Sequence, residues 1–493
     1  MSSRSLRKVL IANRGEIALR VIRACRVSGL GAVAVYSDAD RTAPHVPAAD
    51  EAYRLGPAPA AESYLSIGAI IDAARASGAD AVHPGYGFLA ENPALAQACA
   101  DAGLVFVGPP AAALARCGDK VETRRAARAA GVPVLPGTDP LDDGALARAA
   151  ERIGFPVLLK AAAGGGGKGI HLVRTAAELP AALRLARGEA GGAFGDDRVY
   201  LEKWLDHARH VEIQILADTK GALVHLGERE CSIQRRHQKV IEEAPSTALD
   251  QAMRDAMGRA GVAAARAVGY VNAGTVEFIV SGREFYFLEI NARLQVEHPV
   301  TEMVTGLDLA RLQLAIAGGA PLRFGQCDVV RRGHAIEARI SAEDPEAGFV
   351  PWVGRVEHAV LPGGPGVRID GALVPGMEVT RFYDPILAKV ITWGETRDDA
   401  IARLSQAMRE TVITGLPTTV PFLRWALAHP VFRAGTYTTR FVETEWTDGA
   451  RTVPDGALEA AAVLAHLVDR QVPPPVARDG GPWAEAARRE SLS

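Results

Sequence analysis

Apolar positions along the chain fall into short dense runs separated by stretches of helical period. Lys8 to Ala12 is a compact apolar strand, and Glu16 to Arg26 follows with Ile17, Val21 and Ala24 at helical spacing. Ala32 to Tyr36 reads as a second strand that ends at Asp38. Tyr64 to Ser77 reads as a helix, and Ala79 to His83 and Leu104 to Gly108 as further strands. Strands spaced by helices build βαβ units and a parallel sheet. Ligands on such a sheet bind beyond the carboxyl ends of its strands. Those ends carry Asn13-Arg14-Gly15-Glu16 and His83-Pro84-Gly85-Tyr86-Gly87-Phe88. The fingerprint G-x-G-x-x-G does not follow the first strand, so the pattern favours a Rossmann-like sheet and disfavours an NAD dehydrogenase.

A second region opens at Gly118-Asp119-Lys120. Here the strand Pro156 to Ala161 meets the glycines Gly164 to Gly167, then Lys168-Gly169, then the strand Ile170 to Val173. This is not a Walker loop: Ala162 stands where its first glycine belongs, Gly169 replaces its Ser/Thr, and a strand follows instead of a helix. A glycine hairpin tip can fold over a ligand and turn backbone N–H groups toward phosphate oxygens. It can equally be a plain surface turn, but Lys120 before a helix and Lys160 at an apolar strand end point to an anion. A strand-rich third region begins near Arg331, with tight turns at Pro362-Gly363-Gly364-Pro365-Gly366. Arg397 to Glu410 is helical. Beyond Glu445 come an alanine-rich helix, Ala457 to Arg470, and the cluster Pro473-Pro474-Pro475, read as a docking or linker tail.

The densest chemistry lies between Gly274 and Val300. Gly274 to Val280 and Glu284 to Ile290 are strands joined by Ser281-Gly282-Arg283, which predicts a three-residue hairpin loop. Opposed residue numbers then sum to 564, with Glu289 the diagonal neighbour of Glu277 on one face. Val276, Phe278, Val280, Tyr286, Leu288 and Ile290 form the apolar face. If the second strand stays extended, Glu289, Asn291, Arg293, Gln295 and Glu297 all project to one side. A solvent-facing strand explains such a row less well than a site does. Glu277, Glu289 and Asn291 are hard oxygen ligands suited to Mg²⁺ and nucleotide phosphates. Arg293 can fork onto a planar oxyanion, and Glu297 can act as a base. Arg339 stands in an apolar strand and calls for a buried anionic partner. The run Arg235-Arg236-His237-Gln238-Lys239 reads, alone, as a solvated cationic face or a weak nucleic-acid patch.

Composition changes this picture little. The 493 residues suffice for about three domains. A net charge of −3 gives no bias toward nucleic acid or anionic membrane. No apolar run reaches the length of a membrane span, and the run after Arg4, Arg7 and Lys8 is too short for a signal peptide, so a cytoplasmic protein is expected. The five scattered cysteines have no metal or disulfide spacing, and reduced thiols are expected.

Together the stretches N-R-G-E-I-A-L-R-V-I-R-A-C, H-P-G-Y-G-F-L-A-E-N, G-G-G-G-K-G, R-R-H-Q-K-V-I-E-E-A-P, L-E-I-N-A-R-L-Q-V-E-H-P-V-T-E and G-H-A-I-E-A-R-I resemble the biotin carboxylases of the ATP-grasp superfamily, over about residues 7 to 443. The resemblance implies an α/β fold (α+β overall). Its parts would be a Rossmann-like domain over 1–115, an ATP-grasp domain over 116–330 with a lid over about 131–205, a C-terminal domain over 331–445 and a tail over 446–493. It implies an ATP- and bicarbonate-dependent ligase that carboxylates biotin through carboxyphosphate. By that resemblance Lys120, Lys160, Gly166, Gly167, Glu202, Lys203, Trp204, Leu205, His210, His237, Glu277 and Glu289 hold ATP. Glu277, Glu289 and Asn291 hold Mg²⁺ or Mn²⁺. Lys239, Arg293, Gln295 and the Val296 backbone bind bicarbonate. Glu297 deprotonates it, Arg339 stabilises the biotin enolate, and Tyr86 lies near the biotin ring.

Departures from the family pattern are modest: Ile170, Ala292 and Asp384-Pro385, the last leaning toward acyl-CoA carboxylase α chains. The carrier motif of such systems sets its biotinyl lysine between methionines. This chain has no Met-Lys dipeptide, so a separate biotin carboxyl carrier protein is expected, with a carboxyltransferase subunit and a homodimer. The rivals are another ATP-grasp carboxylate–amine ligase, against which Q-V-E-H and E-A-R-I argue, and a non-catalytic regulatory subunit, against which the intact site argues.

Overall fold

In the computed structural model the described residues are 6–162, 170–236 and 238–447. The chain separates into two compact units, Met1–Glu445 and Trp446–Ser493. The expected tail helix and the glycine loop lie outside the described residues.

The first sheet begins with β1 (Lys8–Ile11), followed by helix α1 (Gly15–Val27), β2 (Gly31–Ser37), β3 (Glu51–Gly56), α2 (Ile67–Ser77), β4 (Ala81–His83) and β5 (Val105–Phe106). All five strands pair in parallel, in the order β3-β2-β1-β4-β5. The order reverses between β1 and β4, and the two loops expected to carry ligands leave those two strands. Asn13 Nδ2 ties them together, donating to the carbonyls of Pro84 and Tyr86 at 2.7 Å each. The approach is so close that a Cβ on Gly85 would come within 2.9 Å of the same nitrogen. β3 has no apolar run because it is an edge strand with alternating exposure, and the hydrophobic pattern therefore does not reveal it. The helix expected from Tyr64 starts at Ile67, where Ser66 caps it by accepting from the Ala69 N–H.

The chain continues with α3 (Lys120–Ala129) and a three-stranded antiparallel sheet of β6 (Val157–Ala161), β7 (Ile170–Val173) and β8 (Val199–Lys203), in the order β7-β6-β8. An eight-stranded antiparallel sheet forms the centre. Its strands are β9 (Arg209–Ala217), β10 (Leu223–Arg235), β11 (Gln238–Ala244), β12 (Asn272–Ser281), β13 (Glu284–Asn291), β14 (His334–Ser341), β15 (Val367–Gly371) and β16 (Ile386–Gly394). The order is β13-β12-β9-β10-β11-β14-β16-β15, so the pairing of β11 with β14 carries one sheet across residue 331 without a break.

The hairpin of β12 and β13 corrects the expected register. Ser281 pairs with Glu284, so the loop is the two residues Gly282-Arg283, with Gly282 at φ +59°. Glycine reaches that left-handed conformation without a Cβ clash, which makes the two-residue turn possible. A bulge then makes Leu288 the extra residue between the pairs Glu277–Glu289 and Phe278–Phe287. The two carboxylates are thus directly opposed and not diagonal. The core side carries Phe285 and Phe287 with Val276, Phe278, Val280 and Ile290, whereas Tyr286 and Leu288, expected there, are outside it. The strand also stops at Asn291. Beyond it the backbone turns, and Glu297 is the residue before α4 (His298–Thr305).

Candidate active site

The edge of the central sheet, the small sheet and α3 enclose a cavity of about 1210 Å³. Lys120, Lys160, Lys203, Trp204, Leu205, His210, Lys239, Glu277, Glu289, Asn291, Arg293, Gln295, Val296, Glu297 and Arg339 all line it. The turn after Asn291 keeps Arg293, Gln295 and Glu297 on this wall, although the segment is not the extended strand expected. Glu202 is buried behind the wall, paired with Lys160. Tyr86 is half-buried outside the lining and donates its hydroxyl to Glu16. Gly166, Gly167 and His237 lie outside the described residues. Arg235, Arg236, Gln238 and Lys239, read as a solvated run, form the tip of the β10–β11 hairpin and also line the cavity.

Local chemistry explains each placement. Asp119 caps α3 by accepting from the N–H groups of Val121 and Glu122, which presents Lys120 at the helix start, 3.1 Å from Glu289. Lys239 Nζ sits at the centre of three carboxylates: Glu212 at 2.6 Å, Glu277 at 2.8 Å and Glu297 at 2.6 Å. His210 Nε2 approaches the other oxygen of Glu277 at 3.1 Å. Arg339 donates to Glu297 Oε2 at 2.8 Å and is paired with Glu242, the acidic partners its apolar strand demands. Arg293 donates to Glu91 at 3.1 Å and to Gln295 Oε1 at 2.9 Å. The Gln295 amide nitrogen is buried and has no hydrogen-bond partner among the described residues. A buried unpaired donor beside a guanidinium suits a small planar oxyanion.

Burial alone would favour the neutral form of Glu297, but Lys239, Arg339 and Arg229 hold its carboxyl well below the usual range. Glu277 is likewise held low, against burial, by Lys239 and His210. Burial opposes the charge of Lys239 too, yet Glu212, Glu277 and Glu297 keep its ammonium well above the usual value. Glu242 moves the other way. Burial, with Glu297 nearby, pushes its carboxyl up to about 7 despite Arg339.

The model for the biotin carboxylase N-terminal domain matches residues 5–114. That for the carbamoyl-phosphate synthase L chain ATP-binding domain matches 119–324, and that for the biotin carboxylase C-terminal domain matches 337–444. Biotin carboxylase 1 of Bacillus subtilis is 51% identical over 443 residues, covering 89% of this chain and 98% of that protein. The chain belongs to the biotin carboxylase family. It is thereby an ATP-dependent ligase, and the other ligase and regulatory-subunit readings are not favoured. Among other relatives, the propionyl-CoA carboxylase alpha chain of Ruegeria pomeroyi is 46% identical over 488 residues, 94% of this chain and 72% of that one. The biotin carboxylase domain dimer of Hydrogenobacter thermophilus 2-oxoglutarate carboxylase, solved with MgADP, ADP and bicarbonate, matches with a TM-score of 0.86. It is 45% identical, over 89% of this chain and 97% of that one.

The donor set of this biotin carboxylase fits a magnesium-class cation: Glu277 and Glu289 are opposed carboxylates, Asn291 adds an amide oxygen, and no soft ligand stands among them. Four further residues of the site escaped the sequence reading. Glu212 alternates with His210 and Gln214 in an apolar strand, a signal like that of Glu277. Glu91 lies in L-A-E-N and holds both Arg293 and the Ala292 N–H. Arg229, which holds Glu212, becomes legible only once β10 pairs with β9, and Glu242 only once β11 pairs with β14. Among the described residues no helix is long and apolar enough to cross a membrane, and all five cysteines are free.

Proposed function

We propose that this chain carboxylates biotin carried on a separate polypeptide, with bicarbonate and ATP, through the residues that line the cavity. The observation that carries the reading is the wall at Glu297. Each of its oxygens is held by a different cation, Lys239 and Arg339, next to Arg293 and the unpartnered Gln295 amide. Glu297 is therefore ionised before bicarbonate arrives. Bicarbonate bound by Lys239, Arg293, Gln295 and the Val296 N–H draws the cations toward its own charge, which raises the basicity of Glu297 as the proton moves to it. The resulting oxyanion attacks the γ-phosphorus of ATP, and the bond to ADP breaks.

ATP lies along Lys120, Lys160, the 202–205 hinge and His210, with Gly166, Gly167 and His237 completing its site. Glu277, Glu289 and Asn291 would hold a divalent cation, which would supply neutralisation of phosphate charge in this transfer. Closure of the lid over about 131–205 keeps water from the carboxyphosphate. Carboxyphosphate splits to CO₂ and phosphate, and the phosphate takes the ureido proton of biotin. Arg339 stabilises the enolate oxygen, Tyr86 borders the ring, and N1′ captures CO₂.

Relatives described as a domain dimer and as a carboxylase alpha chain support a homodimer that works with a biotin carboxyl carrier protein and a carboxyltransferase. The test is ATP cleavage by the purified chain with bicarbonate, with and without free biotin. Cleavage is expected to require bicarbonate and to rise with biotin; equal rates without bicarbonate overturn the reading. A biotin blot after co-expression with an active biotin ligase tests the separate carrier, since a labelled band at the mass of this chain would refute it.

A further inference from the structure

Lys389 lies in the middle of β16, in the apolar run Ile386-Leu-Ala-Lys-Val-Ile-Thr392, and is completely buried. Its ammonium donates to the carbonyl oxygen of Val296 at 2.6 Å and stands 3.1 Å from Glu16 Oε1. Glu16 in turn accepts the hydroxyl of Tyr86, whose ring lies 6.0 Å from the same ammonium. One side chain from the third region therefore joins the first turn of α1, the loop after β4 and the segment that carries Gln295, Val296 and Glu297. The preceding carbonyl, of Gln295, is held by the buried His298 Nδ1 at 2.7 Å. The back of the 295–297 segment is thus pinned by two buried groups while its front faces the cavity.

Stability does not account for a lysine here. A buried ion pair exchanged as a whole for apolar side chains is often neutral or stabilising, and the strand around Lys389 is otherwise apolar. What an apolar residue cannot do is hold a carbonyl and a carboxylate at a fixed separation. Burial disfavours the charge of Lys389, but Glu16, Glu337 and Asp370 keep it above the ordinary lysine value.

We propose that Lys389 is a positioning residue for biotin carboxylation, setting the Val296–Glu297 peptide and the Glu16–Tyr86 pair as one unit so that the bicarbonate wall and the biotin wall keep a constant spacing. Its bearing on catalysis rests on the function proposed above. Lys389 does not reach the cavity, so its effect passes through the groups it holds. A displacement of a few tenths of an ångström at Val296 shifts both the backbone N–H that meets bicarbonate and the base beside it.

The experiment uses the full chain with Lys389→Met and Lys389→Arg, assayed by bicarbonate-dependent ATP cleavage with free biotin and by nucleotide binding. Lys389→Met is expected to raise KM for bicarbonate about tenfold or more, while affinity for MgATP stays within about twofold. Lys389→Arg, which keeps a donor and a charge, is expected to recover part of that loss. If the buried Glu16 charge prevents Lys389→Met from folding, the double variant with Glu16→Gln removes both charges and carries the same expectation. A folded variant with the parent KM for bicarbonate overturns the proposal. So does failure of both the single and the double variant to fold, which makes Lys389 a core residue only. Absence of bicarbonate-dependent cleavage in the parent chain would instead defeat the function on which the proposal rests.

Discussion

Glu297 and Glu337 are both completely buried, about forty residues apart in sequence, and both bear electrostatically on the Arg339 guanidinium. Glu297 has a cation on each oxygen, and its carboxyl is held well below the usual range. Glu337, on β14 and opposite Glu242 of β11, has no hydrogen-bond partner on either oxygen among the described residues. Burial raises its carboxyl well above the usual range despite Lys389 and Arg339, and Glu242 adds to the rise. Equal burial thus leaves one carboxyl held toward its ionised form at the cavity wall and another pushed toward its neutral form inside the sheet. Placement of cations, not depth, decides which carboxylate can serve as a base.

The contrast is broken most severely by neutralising the ionised member. Glu297→Gln is expected to lower the rate of bicarbonate-dependent ATP cleavage by about a thousandfold, within the range for loss of a general base. Steady-state kinetics with free biotin measures it. Removing the shared arginine comes next. Arg339→Ala is expected to slow biotin carboxylation about a hundredfold, roughly 3 kcal/mol, with nucleotide affinity nearly intact in calorimetry. An unchanged rate would remove Arg339 from the mechanism.

The pH dependence of stability sharpens the comparison. Glu297 and Glu277 titrate below the ordinary value of 4.5 in the folded chain. The stability they contribute is present above that value and lost as pH falls through the folded values. Glu337 has the opposite sign. Its contribution is complete below 4.5 and is lost as pH rises toward its raised value. Urea unfolding is therefore expected to show Glu297→Gln flattening the acid limb and Glu337→Gln flattening the alkaline limb. The smallest effect is on activity: Glu337→Gln, which puts an amide where burial already pushes the carboxyl toward its neutral form, is expected to stay within about fivefold of the parent rate.

Much of this was legible in the sequence because the site is built from motifs on short, strongly patterned elements. The period-two row from Glu289 through Glu297, with Glu277 on the facing strand, marks one cavity wall although the segment is not extended beyond Asn291. The bulge at Leu288 and the turn after Asn291 change which residues oppose one another, but not which groups are hydrophilic in an apolar context. The missing parts depend on pairings between distant segments. Glu242 meets Glu337 only when β11 joins β14, Glu16 meets Lys389 only when β16 passes beneath α1, and β3 lacks an apolar run because it is an edge. A lone lysine in an apolar strand was noticed at Lys160 and passed over at Lys389, where the same signal stood without a neighbouring glycine loop.

The central claim is that bicarbonate, deprotonated at Glu297, attacks the γ-phosphorus of ATP. Heavy-oxygen-labelled bicarbonate tests it directly, with the released phosphate analysed by mass spectrometry before the label exchanges with solvent. The attacking oxygen stays on phosphorus when carboxyphosphate loses CO₂, so each phosphate is expected to carry one labelled oxygen. Phosphate that carries no label would mean that water, not bicarbonate, is the nucleophile, and would contradict the account.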